Sequence, residues 1–278
     1  MSGESATGSA NLGLLGQYEA QLKAIEAAAD MVSVVAAMRG REGSARVQET
    51  ACRALIKLTF EDAENKTRSE AAGAVEAVAA AMRVHAKSAG VQKVACSALT
   101  NLSFDNEGNS IRAGAAGAVE AVAAAMRAHA KNASVQEAAC SALMNLSGSE
   151  ENKIRAVAAG ALEAVVAAMR AYTRSAGQQE AACRALRNLT SNNADNRIRA
   201  GAAGAVEAVA SAMRAHAESA VVQENACLAL YFLVTSNQEN KTRAGKAGAK
   251  TAAEAALKAH PGNKAVITEA RDLLERLG

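Results

Sequence analysis

One sequence phrase recurs along this chain every 43 or 44 residues, and it constrains the fold more than any other feature. Each copy holds a cysteine: VQETACRALIKL (47–58), VQKVACSALTNL (91–102), VQEAACSALMNL (135–146), QQEAACRALRNL (178–189) and VQENACLALYFL (222–233). A second run, AAGAVEAVAAAMR, occurs unchanged at 71–83 and 115–127. Self-similarity at this period is typical of solenoids, in which each unit buries its apolar face only against its neighbours.

Each period predicts three helices. The second carries apolar residues at spacings of three and four, and the third is the longest, with Val135, Ala139, Leu143 and Leu146 on its inward face. Alanine, the best helix former, supplies most of the apolar residues, and Pro261 is the only proline in the sequence. A left-handed glycine is expected at the corner after each first helix: Gly73, Gly117, Gly160, Gly204 and Gly248.

The period, the order of the helices and three motifs resemble the armadillo repeat family. The motifs are V-Q-E-x-A-C-x-A-L-x-N-L, the Glu-Asn-Lys or Asn-Arg opening of the first helix, and the Ala-Gly-Ala corner, and they cover about residues 30–277. The resemblance implies an all-α, right-handed α-solenoid whose third helices line a concave groove.

The same pattern predicts how the domain is divided. We expect a disordered polar tail at 1–12 and a single armadillo-repeat domain at 13–278. The domain would comprise an N-terminal cap with a first partial repeat (13–60), repeats at about 61–104, 105–148, 149–191 and 192–235, and a C-terminal capping repeat (236–278).

The candidate binding surface is the face of the third helices opposite their inward stripe. One column on this face reads Lys57, Asn101, Asn145, Asn188 and Phe232. The resemblance implies that asparagine at this place hydrogen-bonds the backbone of an extended peptide, since a side-chain amide both donates and accepts. We therefore predict that the three asparagines hold a peptide. The alternative is that they are an inherited part of the repeat without a ligand.

The neighbouring column lacks the tryptophans with which nuclear-import receptors of this family grip lysine stems. It reads Arg53, Ser97, Ser141, Arg184 and Leu228. Arg184 and Arg187, one helical turn apart, are expected to meet an acidic group, and Arg53 with Lys57 repeats this arrangement in the first unit. The alternative is a solvated charged face.

Four of the six aromatic residues fall on the same surface: Phe60, Phe104, Tyr231 and Phe232. An exposed aromatic pair at one end of a groove is a plausible anchor for a partner. The alternative is that Tyr231 and Phe232 pack under the atypical last unit.

Residue types that often carry chemistry are too widely spaced here to form a site. His85, His129, His216 and His260 share one repeat position, so neighbours lie about 10 Å apart, whereas zinc binds its ligands at about 2 Å. We expect no metal site, histidines with a structural role in the turns, and buried cysteine thiols without disulfides.

Two charged columns are also expected to be structural. The glutamates at 76, 120, 163 and 207 should pair with the arginine seven residues later on the same helix. Five arginines before the corners should form salt bridges between helices, with an anion-binding ridge as the alternative: Arg68, Arg112, Arg155, Arg199 and Arg243.

These features favour a protein-interaction module. The even balance of 31 basic and 28 acidic residues argues against a nucleic-acid or membrane partner, and the sequence has no secretory signal or membrane-length apolar run. No catalytic motif is present. We expect a non-enzymatic, monomeric, cytoplasmic or nuclear protein that binds a protein or extended peptide without a cofactor or small-molecule substrate. The alternative is an engineered or recently duplicated scaffold without an evolved ligand.

Overall fold

The computed structural model describes residues 16–60 and 62–278, and every regular element within them is a helix. Helix α1 covers 16–26 and is followed by α2 (Met31–Gly40) and α3 (Ala45–Thr59). The predicted tail at 1–12 lies outside the described residues.

Five three-helix units come after α3. The first is α4 (Ala63–Ala72), α5 (Ala74–Val84) and α6 (Ala89–Ser103), and the second is α7 (Glu107–Ala115), α8 (Ala118–Ala128) and α9 (Ala133–Leu146). The remaining three are α10 (Glu150–Ala158), α11 (Ala161–Ala171), α12 (Ala176–Thr190); α13 (Ala194–Ala203), α14 (Ala205–Ala215), α15 (Ala220–Val234); and α16 (Gln238–Lys246), α17 (Ala249–Ala259), α18 (Lys264–Leu277).

The helices stack by position. Each third helix contacts the third helix of the next unit, and the first and second helices do the same, which gives three continuous rows. A single apolar core of Ala, Val, Leu, Met and Cys side chains runs between the second and third helices. The inward stripe of α9, including Val135, Ala139, Leu143 and Leu146, is fully buried. The predicted all-α solenoid is therefore confirmed.

The corner glycines adopt the predicted left-handed conformation, with φ between 72° and 86°. At several of these corners, an arginine of the preceding unit donates a hydrogen bond to the carbonyl just before the glycine. Arg83 Nη1 donates to the Ala116 carbonyl and Arg214 Nη1 to the Ala247 carbonyl, both at 2.7 Å. Because these carbonyls end a first helix, the arginine caps the first helix of the next unit and thereby connects two repeats.

Buried glutamines cap the second helices. Gln136 is 2% exposed, and its Nε2 donates to the Met126 carbonyl at 2.8 Å and to the His129 carbonyl at 3.0 Å. The Met126 carbonyl has no partner within its own helix, and leaving it unpaired in the interior would be costly. The His129 carbonyl also accepts from the Asn132 N–H at 2.9 Å, so the glutamine joins the helix end to the following turn. Glutamines at the same repeat position make the same two bonds: Gln48, Gln92, Gln179 and Gln223.

Buried asparagines cap the third helices. Asn152 Nδ2 donates at 2.8 Å to the Leu146 carbonyl, which ends α9, and at 2.8 Å to the Ser110 carbonyl in the preceding first helix. One amide thus both caps a helix and fixes the register of two neighbouring repeats. Asparagines at the same repeat position also donate to a carbonyl at the end of the preceding third helix: Asn65, Asn109, Asn196 and Asn240.

The histidines have the structural role predicted for them. Nε2 of His129 donates to the Ala86 carbonyl in the preceding inter-helix turn, at 2.8 Å. His85, His216 and His260 make the corresponding contact. In the remaining unit the Tyr172 hydroxyl donates to the Ala130 carbonyl at 3.0 Å, which explains why tyrosine can replace histidine there.

The cysteines are free and buried, as predicted. Burial raises the pKa of Cys52, Cys140 and Cys227 to about 12 and also raises the pKa of Cys96 and Cys183. The thiols are therefore protonated packing groups at neutral pH.

The predicted pairing of the glutamates within their own helix is wrong. Glu76 instead pairs with Arg112 of the next unit at 2.7 Å. Glu120 with Arg155 (3.5 Å) and Glu207 with Arg243 (3.3 Å) repeat this contact. Since α5 and α7 lie side by side, the arginine of the next unit comes closer to the carboxylate than the arginine on its own helix. The predicted salt bridges between helices are thus confirmed for these three arginines.

Glycine allows neighbouring first helices to approach closely. A Cβ atom on Gly114 would overlap the side-chain amide of Asn152, and one on Gly201 would overlap that of Asn240. Val157 occupies the same repeat position in α10, and the next asparagine, Asn196, bonds only the Leu189 carbonyl among the described residues. Glu70 stands at this position in α4, where Asn109 still donates to the Lys66 carbonyl at 3.0 Å. The bond between repeats is therefore lost beside the β-branched valine and kept beside the unbranched glutamate.

Replacing Gly114 or Gly201 by alanine is expected to lower the free energy of unfolding by about 2 kcal/mol, because the displaced asparagine loses its two carbonyl partners. Gly245 occupies the same position in α16, and a Cβ there meets no atom within 4 Å. Gly245→Ala is the matched control and should raise stability by up to about 1 kcal/mol through helix propensity. Urea unfolding followed by circular dichroism measures both effects. Equal changes at 114 and 245 would contradict the packing argument.

Candidate functional site

The candidate site is the outward face of the third helices α3, α6, α9, α12, α15 and α18, which we call the groove. Two depressions lie on its first half. One, of about 400 Å³, lies between α6 and α9 and is lined by Lys93, Ser97, Thr100, Asn101, Glu137 and Ser141 among others. The second, of about 650 Å³, lies where these helices end, beside Phe104, Met144 and Gly148. A third depression, of about 360 Å³, lies toward the C-terminal end and is lined by Tyr231, Lys241, Asp272, Glu275 and Arg276.

The three asparagines lie on this face, but they do not present equivalent amides. Asn145 Nδ2 donates to the Thr100 carbonyl at 2.8 Å, and Asn188 Nδ2 donates to the Met144 carbonyl at 2.7 Å. Each bond joins a third helix to the preceding one. Asn188 Oδ1 also accepts from Arg187 Nε at 3.0 Å. Within the described residues Asn101 makes no side-chain hydrogen bond, so its donor and acceptor are both open to a ligand.

Two serine side chains, Ser97 and Ser141, line the depression next to Asn101. Ser97 Oγ donates to the Lys93 carbonyl at 3.2 Å and Ser141 Oγ to the Glu137 carbonyl at 3.1 Å. Each hydroxyl therefore bonds its own helix one turn back and keeps acceptor capacity toward the groove. Because Lys93 and Glu137 are exposed, the small polar surface lies between a cation and an anion.

The predicted basic residues lie on two helices of the groove, α3 and α12. Arg53 and Lys57 are exposed on α3. Arg184 pairs with Glu180 on its own helix at 3.4 Å. The pKa of Arg187 is lowered by burial and by the charge of Arg184. The acidic group expected for this arginine pair is thus supplied in part by the chain itself.

Further acids of the chain lie near Arg187. Glu224 on α15 and Glu269 on α18 oppose the lowering of its pKa. Burial raises the pKa of Glu269, and the neighbouring carboxylates of Asp272 and Glu224 raise it further. The section formed by α12, α15 and α18 therefore brings opposite charges of the chain toward each other.

The four predicted aromatic residues form two groups, an exposed pair of phenylalanines and a pair near the last helix. Phe60 is 64% and Phe104 54% exposed, at the ends of α3 and α6. Tyr231 instead contacts the last helix, where Arg276 lies 4.8 Å from the ring centroid and its Nη2 donates to the Tyr231 hydroxyl at 2.7 Å. Tyr231 and Phe232 meet edge to face at 5.5 Å. Tyr231 therefore packs against the last unit, which is the alternative that the sequence left open for this pair.

Periodicity alone places Glu137 and Met144 on the outward stripe of α9, where they line the two depressions. Sequence reasoning missed Lys93, which lies one turn before Ser97 on α6 and lines the smaller depression. The signal for the larger depression was present in the spacing: the interval from Cys140 to Cys183 is 43 residues, one shorter than the others. Gly148 stands there in place of the phenylalanines at 60 and 104, which leaves space next to Phe104.

Among the residues that the structure describes, no helix is long and apolar enough to cross a membrane.

Asn188→Ala and Asn145→Ala should each lower the free energy of unfolding by about 1 kcal/mol, because each removes a bond between third helices. Asn101→Ala is the matched control at the same repeat position and should change it by less than about 0.5 kcal/mol. Urea unfolding gives all three values. A loss at Asn101 as large as at Asn188 would show that its amide is not free.

Comparisons with known proteins agree with this architecture. A model of the LRRK2 ARM repeat family matches residues 60–274. Among solved structures, an engineered protein is 26% identical with a TM-score of 0.78, over 89% of this chain and 98% of that one. The designed armadillo repeat protein YIII(Dq)4CqI is 22% identical with a TM-score of 0.77, over 90% and 100%.

A further designed armadillo repeat protein, YIII(Dq.V1)4CPAF, described in complex with the peptide (KR)4, is 24% identical with a TM-score of 0.73, over 89% and 98% of the two chains. A search of curated protein sequences gave no match. The family model spans most of the chain, so the resemblance found in the sequence motifs is confirmed. The protein belongs to the armadillo repeat family, through its LRRK2 ARM repeat branch.

Proposed function

We propose that this protein is a non-catalytic interaction module that binds an extended peptide, or an unstructured segment of a protein, along the groove section formed by α3, α6 and α9. The observation that carries the proposal is the open amide of Asn101 beside a polar depression of about 400 Å³. An extended backbone presents one donor and one acceptor per residue, and a primary amide satisfies both.

The surroundings of Asn101 favour a peptide of mixed character. The exposed rings of Phe60 and Phe104 offer apolar contact area at one edge. The cations Arg53, Lys57 and Lys93 are exposed on α3 and α6, so acidic side chains of the peptide would lie over these helices. One designed protein of the same fold is described in complex with a peptide, which supports an elongated ligand here.

The serine hydroxyls favour binding over catalysis. A nucleophilic serine needs a general base that accepts its proton. Ser97 and Ser141 instead donate to backbone carbonyls of their own helices, and these carbonyls do not act as bases.

The test is selection from a random twelve-residue peptide library on the full chain, with Asn101→Ala in the counter-selection. Selected peptides should bind the wild type and lose at least about tenfold in affinity toward Asn101→Ala, a loss of about 1.4 kcal/mol. A single substitution is used because Asn145 and Asn188 also stabilise the stack.

Asn225→Ala is the control, since this asparagine lies on α15 and donates to the Val221 carbonyl of its own helix. Its affinity should equal that of the wild type. Selected peptides that bind Asn101→Ala as tightly as the wild type would overturn the proposal, as would a library that yields no specific peptide.

A second candidate is a scaffold, engineered or recently duplicated, without a ligand. It is supported by the identity of residues 71–83 and 115–127 and by the likeness to an engineered structure. The failure of the same selection would favour it.

A further inference from the structure

The larger depression, of about 650 Å³, includes the place where two other units carry a phenylalanine. Phe60 and Phe104 cap the third helices α3 and α6, and Gly148 is their counterpart after α9. A Cβ atom on Gly148 would lie 3.7 Å from the Asn145 carbonyl oxygen and 3.9 Å from Ser110 Oγ. Both are ordinary contact distances, so the absence of a ring at Gly148 leaves free space at this point of the groove.

The walls of this space suit an aromatic ring. Phe104 is 54% exposed at the end of α6, and Met144 on α9 lines the same depression. Aromatic rings pack favourably edge to face or offset against each other, and a methionine thioether makes favourable contacts at the edge of a ring. A ligand ring would have one such wall on each of two helices, so the depression favours an aromatic side chain over an aliphatic one.

Ser103 adds a buried polar group to this depression. The residue is 4% exposed and lines the depression, and its hydroxyl has no hydrogen-bond partner among the described residues. Hydroxyls at the same repeat position donate to the carbonyl four residues earlier in their own helix: Thr59, Ser147 and Thr190. Because a buried hydroxyl without a partner is unfavourable, the exception at Ser103 points to a partner in the ligand.

The charges around the depression disfavour an ionic side chain. Asp105 and Glu107 are exposed and line it, so they oppose an anion. Lys66 opposes a cation, since its Nζ donates to the Phe104 carbonyl at 3.2 Å and lies 4.8 Å from the centroid of the Phe104 ring. A neutral ring that carries a hydrogen-bonding group meets neither repulsion.

Given the peptide binding proposed above, on which this inference rests, we propose that the larger depression takes up a tyrosine side chain of the bound peptide. The ring lies between Phe104 and Met144, in the place of the phenylalanine that Gly148 replaces. A serine hydroxyl both donates and accepts, and so does a tyrosine hydroxyl, whereas the tryptophan N–H only donates. Tyrosine is therefore the aromatic residue that matches Ser103.

The depression and the open amide of Asn101 lie close enough to serve one peptide. Ser103 and Phe104 follow Asn101 by two and three residues on α6, which corresponds to about 5 Å along the helix. An extended peptide advances about 3.3 Å per residue. A peptide held by the Asn101 amide therefore carries its tyrosine within about three residues of that contact.

The test is selection of random twelve-residue peptides on the full chain, with Gly148→Phe in the counter-selection. This variant returns the ring of Phe60 and Phe104 to the second unit, and the Cβ contacts at Gly148 leave room for it. Selected peptides should share a tyrosine and lose at least about tenfold in affinity toward Gly148→Phe.

Gly262→Phe is the matched control. Gly262 lies in an exposed turn of the last unit, and a Cβ atom there meets no atom of the described residues within 4 Å. This variant should bind the selected peptides as tightly as the wild type. Circular dichroism checks that both phenylalanine variants are folded.

A double-mutant cycle tests the hydroxyl contact. Replacing the peptide tyrosine by phenylalanine and Ser103→Ala in the protein should each lower the affinity about fivefold, and the two changes together should cost little more than either alone. Thr190→Ala is the control at the same repeat position, since its hydroxyl bonds the Leu186 carbonyl, and it should leave the affinity unchanged.

The outcomes separate this inference from the proposed function. Peptides that need Asn101 but share no tyrosine, or that bind Gly148→Phe as tightly as the wild type, would overturn the tyrosine assignment and leave peptide binding intact. Additive losses in the cycle would also overturn it. Tyrosine peptides that lose affinity toward Gly148→Phe but not toward Asn101→Ala would support the assignment and contradict the role of Asn101. A library without specific peptides would overturn both.

Discussion

The structure depends on buried side-chain amides that complete the hydrogen bonding of helix ends. Each helix leaves its last carbonyls without partners, and in a stack with a dry interior most of these ends are inaccessible to water. Gln136 and its counterparts satisfy the second helices, while Asn152 and its counterparts satisfy the third. A glutamine is thus required at one fixed position from α3 to α15, and an asparagine at another in each unit from α4 onward, whereas the last unit has Ile267 in place of the glutamine. This requirement explains why the internal repeats are so uniform along one chain.

This arrangement separates the residues that hold the stack from those that are free to bind. Apolar side chains and capping amides face inward, so the outward face of the third helices is free to vary from unit to unit. It does vary, from Ser97 and Ser141 to Arg184 and Leu228. The variation leaves one open polar section around Asn101 and one section in which charges such as Arg187 and Glu269 oppose each other.

The repeat pattern predicted the fold because the period, the corner glycines and the buried stripes are local features that recur in the internal units. It also placed the histidines in the turns and the cysteines in the core. The pattern did not predict the side-chain contacts in which the bonding partner belongs to another unit. Glu76 was paired with its own helix, since a single helix does not reveal that Arg112 lies closer. The structural bonds of Asn145 and Asn188 were missed because their acceptors lie 45 and 44 residues earlier in the chain.

The most direct test of this account is the stability of Gln136→Leu, which keeps the length of the side chain and removes its amide. The buried Met126 carbonyl would lose its donor and the His129 carbonyl would keep only the Asn132 N–H, so the free energy of unfolding in urea should fall by about 2 kcal/mol. Glu137→Gln, an exposed change at the next position, controls for substitution in α9 and should be close to neutral. A Gln136→Leu variant as stable as the wild type would contradict the claim that buried amides hold the stack together.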